Sequence, residues 1–296
     1  MKFGKVENPE EVDFRLPEDH PDTHSVLSLS QTKKLNIFVG CAKWNKTDLK
    51  NFYPRGTKDE LEYYSKQFNS IELNATFYRL FSAANYETWY QKTPDNFKFF
   101  PKFYQGITHW KRLQGHDEDL NQYLVNASLL KEKLGMSFIQ MHNNFAPKSM
   151  DRLEPFFKTL PKDLAFAMEF RHTDWYNDEE VSNQLYSLME QYNITNIITD
   201  TAGRRDLMHM RSTSDSVFIR YTGANHESDY TRLDDWVDRL EQWVEYGLQN
   251  IYFFVHQNVE KASPLLSAYF IEKMNTRLGL DLKVPEMPDQ GLFSKP

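Results

Sequence analysis

The sequence predicts an α/β protein: a single (β/α)8 barrel of the TIM type with an extended N-terminal arm. Three observations predict it. Eight short apolar runs occur, each followed by a stretch with helical character. Such alternation makes a parallel sheet covered on both faces, and eight repeats favour closure over an open sheet. Charged or amide residues recur at the ends of the runs: Glu72 with Asn74, Lys102, Gln140, Glu169 with Arg171, Asp200, Arg220 and Asn258. The chain has 296 residues, which fits one barrel of about 250 residues plus an extension.

Residues 1–36 are rich in Pro, Asp and Glu with little periodicity. They read as an arm wrapped over the barrel or partly disordered, with Phe3, Val12, Phe14, Leu16, Val26 and Leu27 as anchors. The barrel domain follows at 37–283. Its first strand is read at 37–41 (Ile-Phe-Val-Gly-Cys), followed by a helix at 58–68. The second strand, 70–74, precedes a helix at 82–92, and the third, 97–102, precedes one at 118–133. In 118–133, Leu120, Tyr123, Leu124, Ala127 and Leu130 recur at helical spacing. Strands at 136–141, 164–170, 194–199, 216–222 and 250–255 are followed by helices at 149–159, 178–192, 204–209, 232–246 and 262–276. The segment 284–296 carries three prolines and reads as an irregular tail.

Strand side chains alternate between faces. In Ile71-Glu72-Leu73-Asn74 the apolar and polar residues therefore point opposite ways. Glu169 and Arg171 share a face with Ala167, and Arg220 projects opposite Ile219 and Tyr221. Burying unpaired charge costs several kcal/mol. Polar residues placed so regularly in buried strands need a common polar destination, and the C-terminal end of a barrel supplies one.

Composition excludes several classes. A formal net charge of -7 argues against long nucleic acid as a partner. Cys41 is the single cysteine, so no intramolecular disulfide exists, which suits a reducing compartment. Cys41 itself reads as a small buried residue rather than a thiolate. No apolar signal segment or membrane-length run is visible, so a cytoplasmic location is expected. Neither Gly-x-Gly-x-x-Gly nor a Walker motif occurs, and no cofactor is expected.

Several segments together resemble the DUF72 (YecE-like) family. They are Gly40-Cys41-Ala42-Lys43-Trp44 with Phe52-Tyr53-Pro54; Glu72-Leu73-Asn74-Ala75-Thr76-Phe77-Tyr78; Phe99 with Lys102; Thr108-His109; Glu169-Phe170-Arg171-His172 with Trp175; and Asp200. The resemblance spans roughly residues 37–270. It implies a TIM-barrel fold and supplies no reaction, because the family's function is not established. The chain departs from the family pattern at Tyr221-Thr222-Gly223, where a His-Gly pair is common, and at His256-Gln257-Asn258, where an Asn-rich segment is common.

These residues suggest an anion pocket with acid/base chemistry. Glu72, Glu169, Asp200 and His109 are the candidate catalytic groups. Trp44, Asn74, Tyr78, Lys102, Gln140, Arg171, His172, Trp175, Arg220 and Asn258 are the candidates for binding substrate. The competing reading is a self-neutralising charge network that only organises the barrel interior. A metal site built on Glu72, His109, Glu169, His172 and Asp200 is disfavoured, because the neighbouring Lys and Arg oppose a cation. The expected function is an enzyme, a hydrolase or a lyase/isomerase, acting on a small anionic or phosphate-bearing substrate. Its alternatives are a metal-dependent phosphodiesterase or sugar isomerase, and a non-catalytic module for a nucleotide or single-stranded nucleic acid.

Overall fold

The computed structural model describes residues 4–29 and 34–287. Eight parallel strands alternate with helices in a barrel-like α/β arrangement: β1 Asn36–Cys41, β2 Ser70–Leu73, β3 Lys98–Pro101, β4 Ser137–Gln140, β5 Phe166–Glu169, β6 Ile194–Asp200, β7 Ser216–Gly223 and β8 Asn250–Gln257. The α-helices are α1 Pro21–Ser28, α2 Glu60–Gln67, α3 Ala75–Tyr78, α4 Ala83–Lys92, α5 Asp117–Ala127, α6 Leu153–Phe157, α7 Asp174–Asn177, α8 Glu179–Gln191, α9 Ser228–Tyr246 and α10 Ser263–Leu278. Six strands form one curled sheet in the order β1-β8-β7-β6-β5-β4, and β2 pairs with β3 in a second sheet.

The strand ends fall within two residues of the positions read from sequence. Continuous eight-stranded pairing is not what the structure displays. The ladder is interrupted at two seams. Between β3 and β4, isolated parallel bridges join Phe99 to Leu134 and Lys102 to Phe138. Between β1 and β2, Asn69 does the bridging: its Nδ2 donates to Ile37 O at 2.8 Å and its Oδ1 accepts from Val39 N at 3.0 Å. Gly40 faces this seam. A Cβ there would lie 2.3 Å from Ser70 O, so only glycine lets β1 approach β2 this closely.

Strand alternation sets the layers. Ile37, Val39, Ile71, Leu73, Ile139, Met168, Ile198, Ile219, Phe253 and Val255 face outward into the apolar clusters beneath the helices. The opposite parity supplies a compact inner cluster: Phe100, Phe138, Ala167, Ile197, Phe218 and Phe254, flanked by Phe38 and Tyr252. These rings plug the interior. Helix ends follow ordinary chemistry. Asp178 accepts from the Glu180 and Val181 amides at the start of α8. Gly247, at φ 117°, terminates α9.

Three helical readings change. The stretch expected as one helix at 118–133 is α5 followed by a 3-10 segment, Ser128–Lys133, with Lys131 at φ 50°. The helix expected at 149–159 is short, preceded by a 3-10 segment at Pro147–Arg152. The sixth is a 3-10 segment, Ala202–Leu207. The N-terminal segment also contains a helix, α1, which starts at Pro21. Thr23 and Leu27 are buried there, and Thr23 Oγ1 donates to Met210 O at 2.9 Å. Asp19 receives Trp243 Nε1 at 2.9 Å. The proposed anchor Phe3 and the tail from residue 288 lie outside the described residues.

Candidate functional site

The polar destination sits two residues beyond the aromatic plug on strand after strand. Lys102 follows Phe100, Gln140 follows Phe138 and Glu169 follows Ala167. Thr199 follows Ile197, Arg220 follows Phe218 and His256 follows Phe254. A two-residue step keeps the face, so the interior changes from apolar to polar within one layer. Glu72 on β2 completes that layer.

Arg220 is its hub. Its Nε and Nη2 donate to the two oxygens of Glu72 at 3.0 and 2.8 Å, a bidentate pair. Its Nη1 donates to Glu169 Oε2 at 2.6 Å and to Gln140 Oε1 at 3.2 Å. Arg171 Nε donates to the other oxygen of Glu169. Asn74 Nδ2 donates to Glu72 Oε1 at 2.7 Å, and His256 Nε2 lies 3.0 Å from Glu72 Oε2. Both carboxylates are thus fully engaged. Burial would raise the Glu72 carboxyl, but the charges of Arg220 and His256 outweigh it and hold it well below the usual carboxylate range. Glu169 is likewise burdened by burial, yet Arg171 and Arg220 bring it down to about 2.

Lys102 is different. Its Nζ donates to the neutral amide oxygen Gln140 Oε1 at 2.9 Å and sits 4.2 Å over the Phe77 ring. Burial, then the charges of Arg220 and Arg171, lower its pKa to about 7, against the opposing pull of Glu169 and Glu72. His109 stands on a π-helical turn, Gly106–Trp110, an irregularity frequent at functional sites. Its Nδ1 is 2.8 Å from Thr108 Oγ1. Burial and the neighbouring Lys102 charge lower it to about 4, so the ring is neutral at pH 7.

Above this layer opens a cavity of about 840 Å³. Of the residues expected from sequence, Trp44, Glu72, Asn74, Tyr78, Lys102, His109, Gln140, Arg171 and Arg220 line it. A smaller cavity of about 300 Å³ adjoins it across Lys43, Arg171, Arg220 and His256, and Asn258 lines that one with Thr199. Glu169 lies beneath the floor, its oxygens turned to the two arginines.

Three expected residues lie elsewhere. Asp200 is outward: β6 runs through it, and Ile198 and Asp200 share the face toward the helices. There it accepts from Arg232 Nη2 at 2.7 Å, from Trp236 Nε1 at 2.8 Å and from Arg205. Asp200 is a structural anchor; Thr199 takes the inward place. Trp175 is fully buried, stacked on Phe145 and donating to its carbonyl at 2.6 Å. His172 lies past the strand end, its Nδ1 accepting from Asp174 N at 3.3 Å, and lines neither cavity. Cys41 is buried, and burial pushes its thiol up, away from thiolate chemistry.

Sequence reasoning did not select His256, Lys43 or Phe77 as site residues. His256 was recoverable by parity, since it lies two residues past the inward Phe254. Lys43 and Phe77 sit in loops, where no periodicity announces direction. Among the described residues, no group of three His, Cys, Asp or Glu is placed to hold a metal ion. No helix among them is long and apolar enough to cross a membrane.

Comparison with known proteins gives a consistent picture. The family model described as a protein of unknown function, DUF72, matches residues 38–290. The UPF0759 protein YecE of Escherichia coli (strain K12) is 25% identical over 276 residues, covering 86% of this chain and 98% of that protein. YunF of Bacillus subtilis (strain 168), also a UPF0759 protein, is 31% identical over 150 residues, 48% of this chain and 52% of that one. A crystal structure of a DUF72 family protein from Enterococcus faecalis V583 superposes with a TM-score of 0.64 at 18% identity, covering 84% of this chain and 100% of that one. A DUF72 family protein from Thermotoga maritima MSB8 superposes at 0.61 with 23% identity, covering 81% and 99%. At these identities the structural likeness concerns the fold.

Proposed function

The chain belongs to the DUF72 family, and from that premise we propose that its cavity is the active site of an enzyme acting on a small anionic or phosphate-bearing substrate by acid/base chemistry. Lys102 carries this reading. It is a buried amine on the cavity wall, held by a neutral amide, with a pKa of about 7. A group titrating near the working pH is suited to proton transfer. Glu72 and Glu169 are not, because their guanidinium partners keep them ionised. The acid/base role therefore moves from the carboxylates to Lys102, with the neutral His109 beside it. Lys43 and Arg171, which line both cavities, supply positive charge for the anion. The two seams support the further reading that all eight strands act as one closed TIM-type barrel, with the cavity at its C-terminal mouth. A cytoplasmic location accords with the lone, buried Cys41.

Calorimetric titration with inorganic phosphate and with small phosphorylated compounds tests the reading. Saturable binding that Lys102→Met and Arg171→Met each weaken at least tenfold is expected. Binding unaltered in both folded variants would overturn it. A second reading, a non-catalytic nucleotide-binding module, is favoured by Tyr78, which is 69% exposed on the cavity rim and able to stack on a base. Phosphate binding without turnover of any phosphorylated compound, together with nucleotide affinity lost in Tyr78→Ala, would select it.

A further inference from the structure

We infer that Lys102 is an amine nucleophile that forms an imine with a carbonyl group of the anionic substrate. This deepens the reading above and rests on it for the anionic part of the substrate. The first support is the pattern of partners. Arg220 is matched by Glu72 and Glu169, Arg171 by Glu169, and Lys43 by Asp48 at 3.2 Å. Lys102 alone in this set has an uncharged acceptor, Gln140 Oε1, and the face of Phe77. A lysine whose task was structural would be served better by a carboxylate, and two lie nearby, both already claimed by guanidiniums.

The second support is placement. The amine lies on the wall of a cavity of about 840 Å³ while Lys102 is only 7% exposed, so it borders the space a ligand would fill and is otherwise shielded from bulk water. The groups facing it from the neighbouring strands are Arg220 on β7, Arg171 beyond β5, Glu169 on β5 and Glu72 on β2. Burial and the two arginines disfavour its proton and bring it to about 7. An ordinary lysine near 10.4 has a free-amine fraction at neutral pH lower by a factor on the order of a thousand.

The chemistry balances without oxidant or reductant. The Lys102 Nζ lone pair forms a C–N bond to the carbonyl carbon, and the carbonyl oxygen takes up a proton. The nitrogen loses a proton, giving a neutral carbinolamine. The hydroxyl is then protonated and leaves as water, and the nitrogen lone pair forms the C=N bond of a protonated imine. His109 and His256, which line the same cavity, are the imidazoles available to carry these protons. The cationic imine withdraws electrons from the adjoining carbon, which activates an adjacent C–H or C–C bond for lyase or isomerase chemistry.

Reductive trapping tests this on the full-length protein. The probe is glyoxylate, an anionic aldehyde, with sodium cyanoborohydride at pH 7, followed by peptide mapping for carboxymethyl-lysine. Propionaldehyde, an uncharged aldehyde, is run in parallel. Labelling at Lys102 is expected at least tenfold faster than at exposed lysines away from the cavity, such as Lys162 or Lys273, and faster with glyoxylate than with propionaldehyde. Gln140→Glu would place a carboxylate on the amine and should suppress labelling at pH 7 while restoring it at higher pH. Labelling at Lys102 no faster than at the surface, in protein that still binds phosphate, would overturn the imine while leaving the anion site standing. Rapid labelling equal for both aldehydes would keep the imine and remove the anionic requirement.

Discussion

Replacing Glu169 with Gln removes a charge and little shape, and the structure sets the size of the effect. Glu169 has an ordinary carboxyl value of 4.5 and is held at about 2 in the folded protein. Each pKa unit corresponds to about 1.4 kcal/mol, so the ionised side chain contributes about 3 kcal/mol of stability at pH 7. Because the folded value is depressed, that contribution is complete above pH 4.5 and disappears as the pH falls through about 2. Glu169→Gln should therefore lose about 3 kcal/mol at pH 7, or about 5 °C in Tm for a chain of this length. Near pH 3 the gap between wild type and variant should shrink to about 1 kcal/mol. Urea unfolding followed by circular dichroism at both pH values measures it. A loss under about 1 kcal/mol at pH 7, or a gap independent of pH, would refute the view that Glu169 is a locked ion-pair partner of Arg171 and Arg220.

Other consequences follow from the same contacts. Lys102→Met should stabilise the protein, by about 2 kcal/mol near pH 7, because burying the ammonium is costly and the site rather than the fold requires it. The folded Lys102 value lies below the unfolded one, so this advantage should be greatest below pH 7 and fade as the pH approaches 10.5. A destabilised variant would show Lys102 to be structural. Asp200→Asn should cost about 3 kcal/mol by leaving the buried Arg232 with Asp229 as its one carboxylate partner and by removing the charge that Arg205 also faces, with phosphate affinity unchanged; a changed affinity would return Asp200 to the site. Gly40→Ala should cost about 1–3 kcal/mol through the clash with Ser70 O at the β1–β2 seam, and an unaffected Tm would argue against close approach there. Deleting residues 1–36 should lower Tm by several degrees, through loss of the Leu27 and Asp19 contacts, and leave phosphate binding intact. Loss of binding in the folded deletion variant would give the arm a role at the site.

Much of this was legible because strand parity carries chemical information. Glu72, Lys102, Gln140, Glu169 and Arg220 could be assigned to one interior because each alternates with apolar neighbours. Asp200 shows where parity fails without register. The strand is expected over 194–199 with Asp200, just beyond it, turned to the interior, yet β6 continues through Asp200 with Ile198 on the same outer face. Trp175 was misread because an aromatic residue in a loop looks the same whether it covers a ligand or the core. The hydrogen-bond seams were invisible, since Asn69 and Gly40 act through one side-chain amide and one missing Cβ. Helix α1 did leave a signal in Pro21, a residue favoured at the first helical position, which the surrounding acids and prolines obscured. What no sequence pattern conveys is the pairing itself. That Arg220 takes both carboxylates and leaves Lys102 with an amide depends on distances between β2, β3, β4, β5 and β7.

The most direct test of the account is the titration of Lys102 itself. Lysine side chains carrying 13C at Cε can be followed by NMR across pH 5–11, with Lys102→Arg identifying the resonance. The account predicts a midpoint of about 7 in the free protein, moving upward when inorganic phosphate occupies the cavity and stabilises the ammonium. A midpoint near 10.4, the ordinary value for lysine, with no response to phosphate would contradict it.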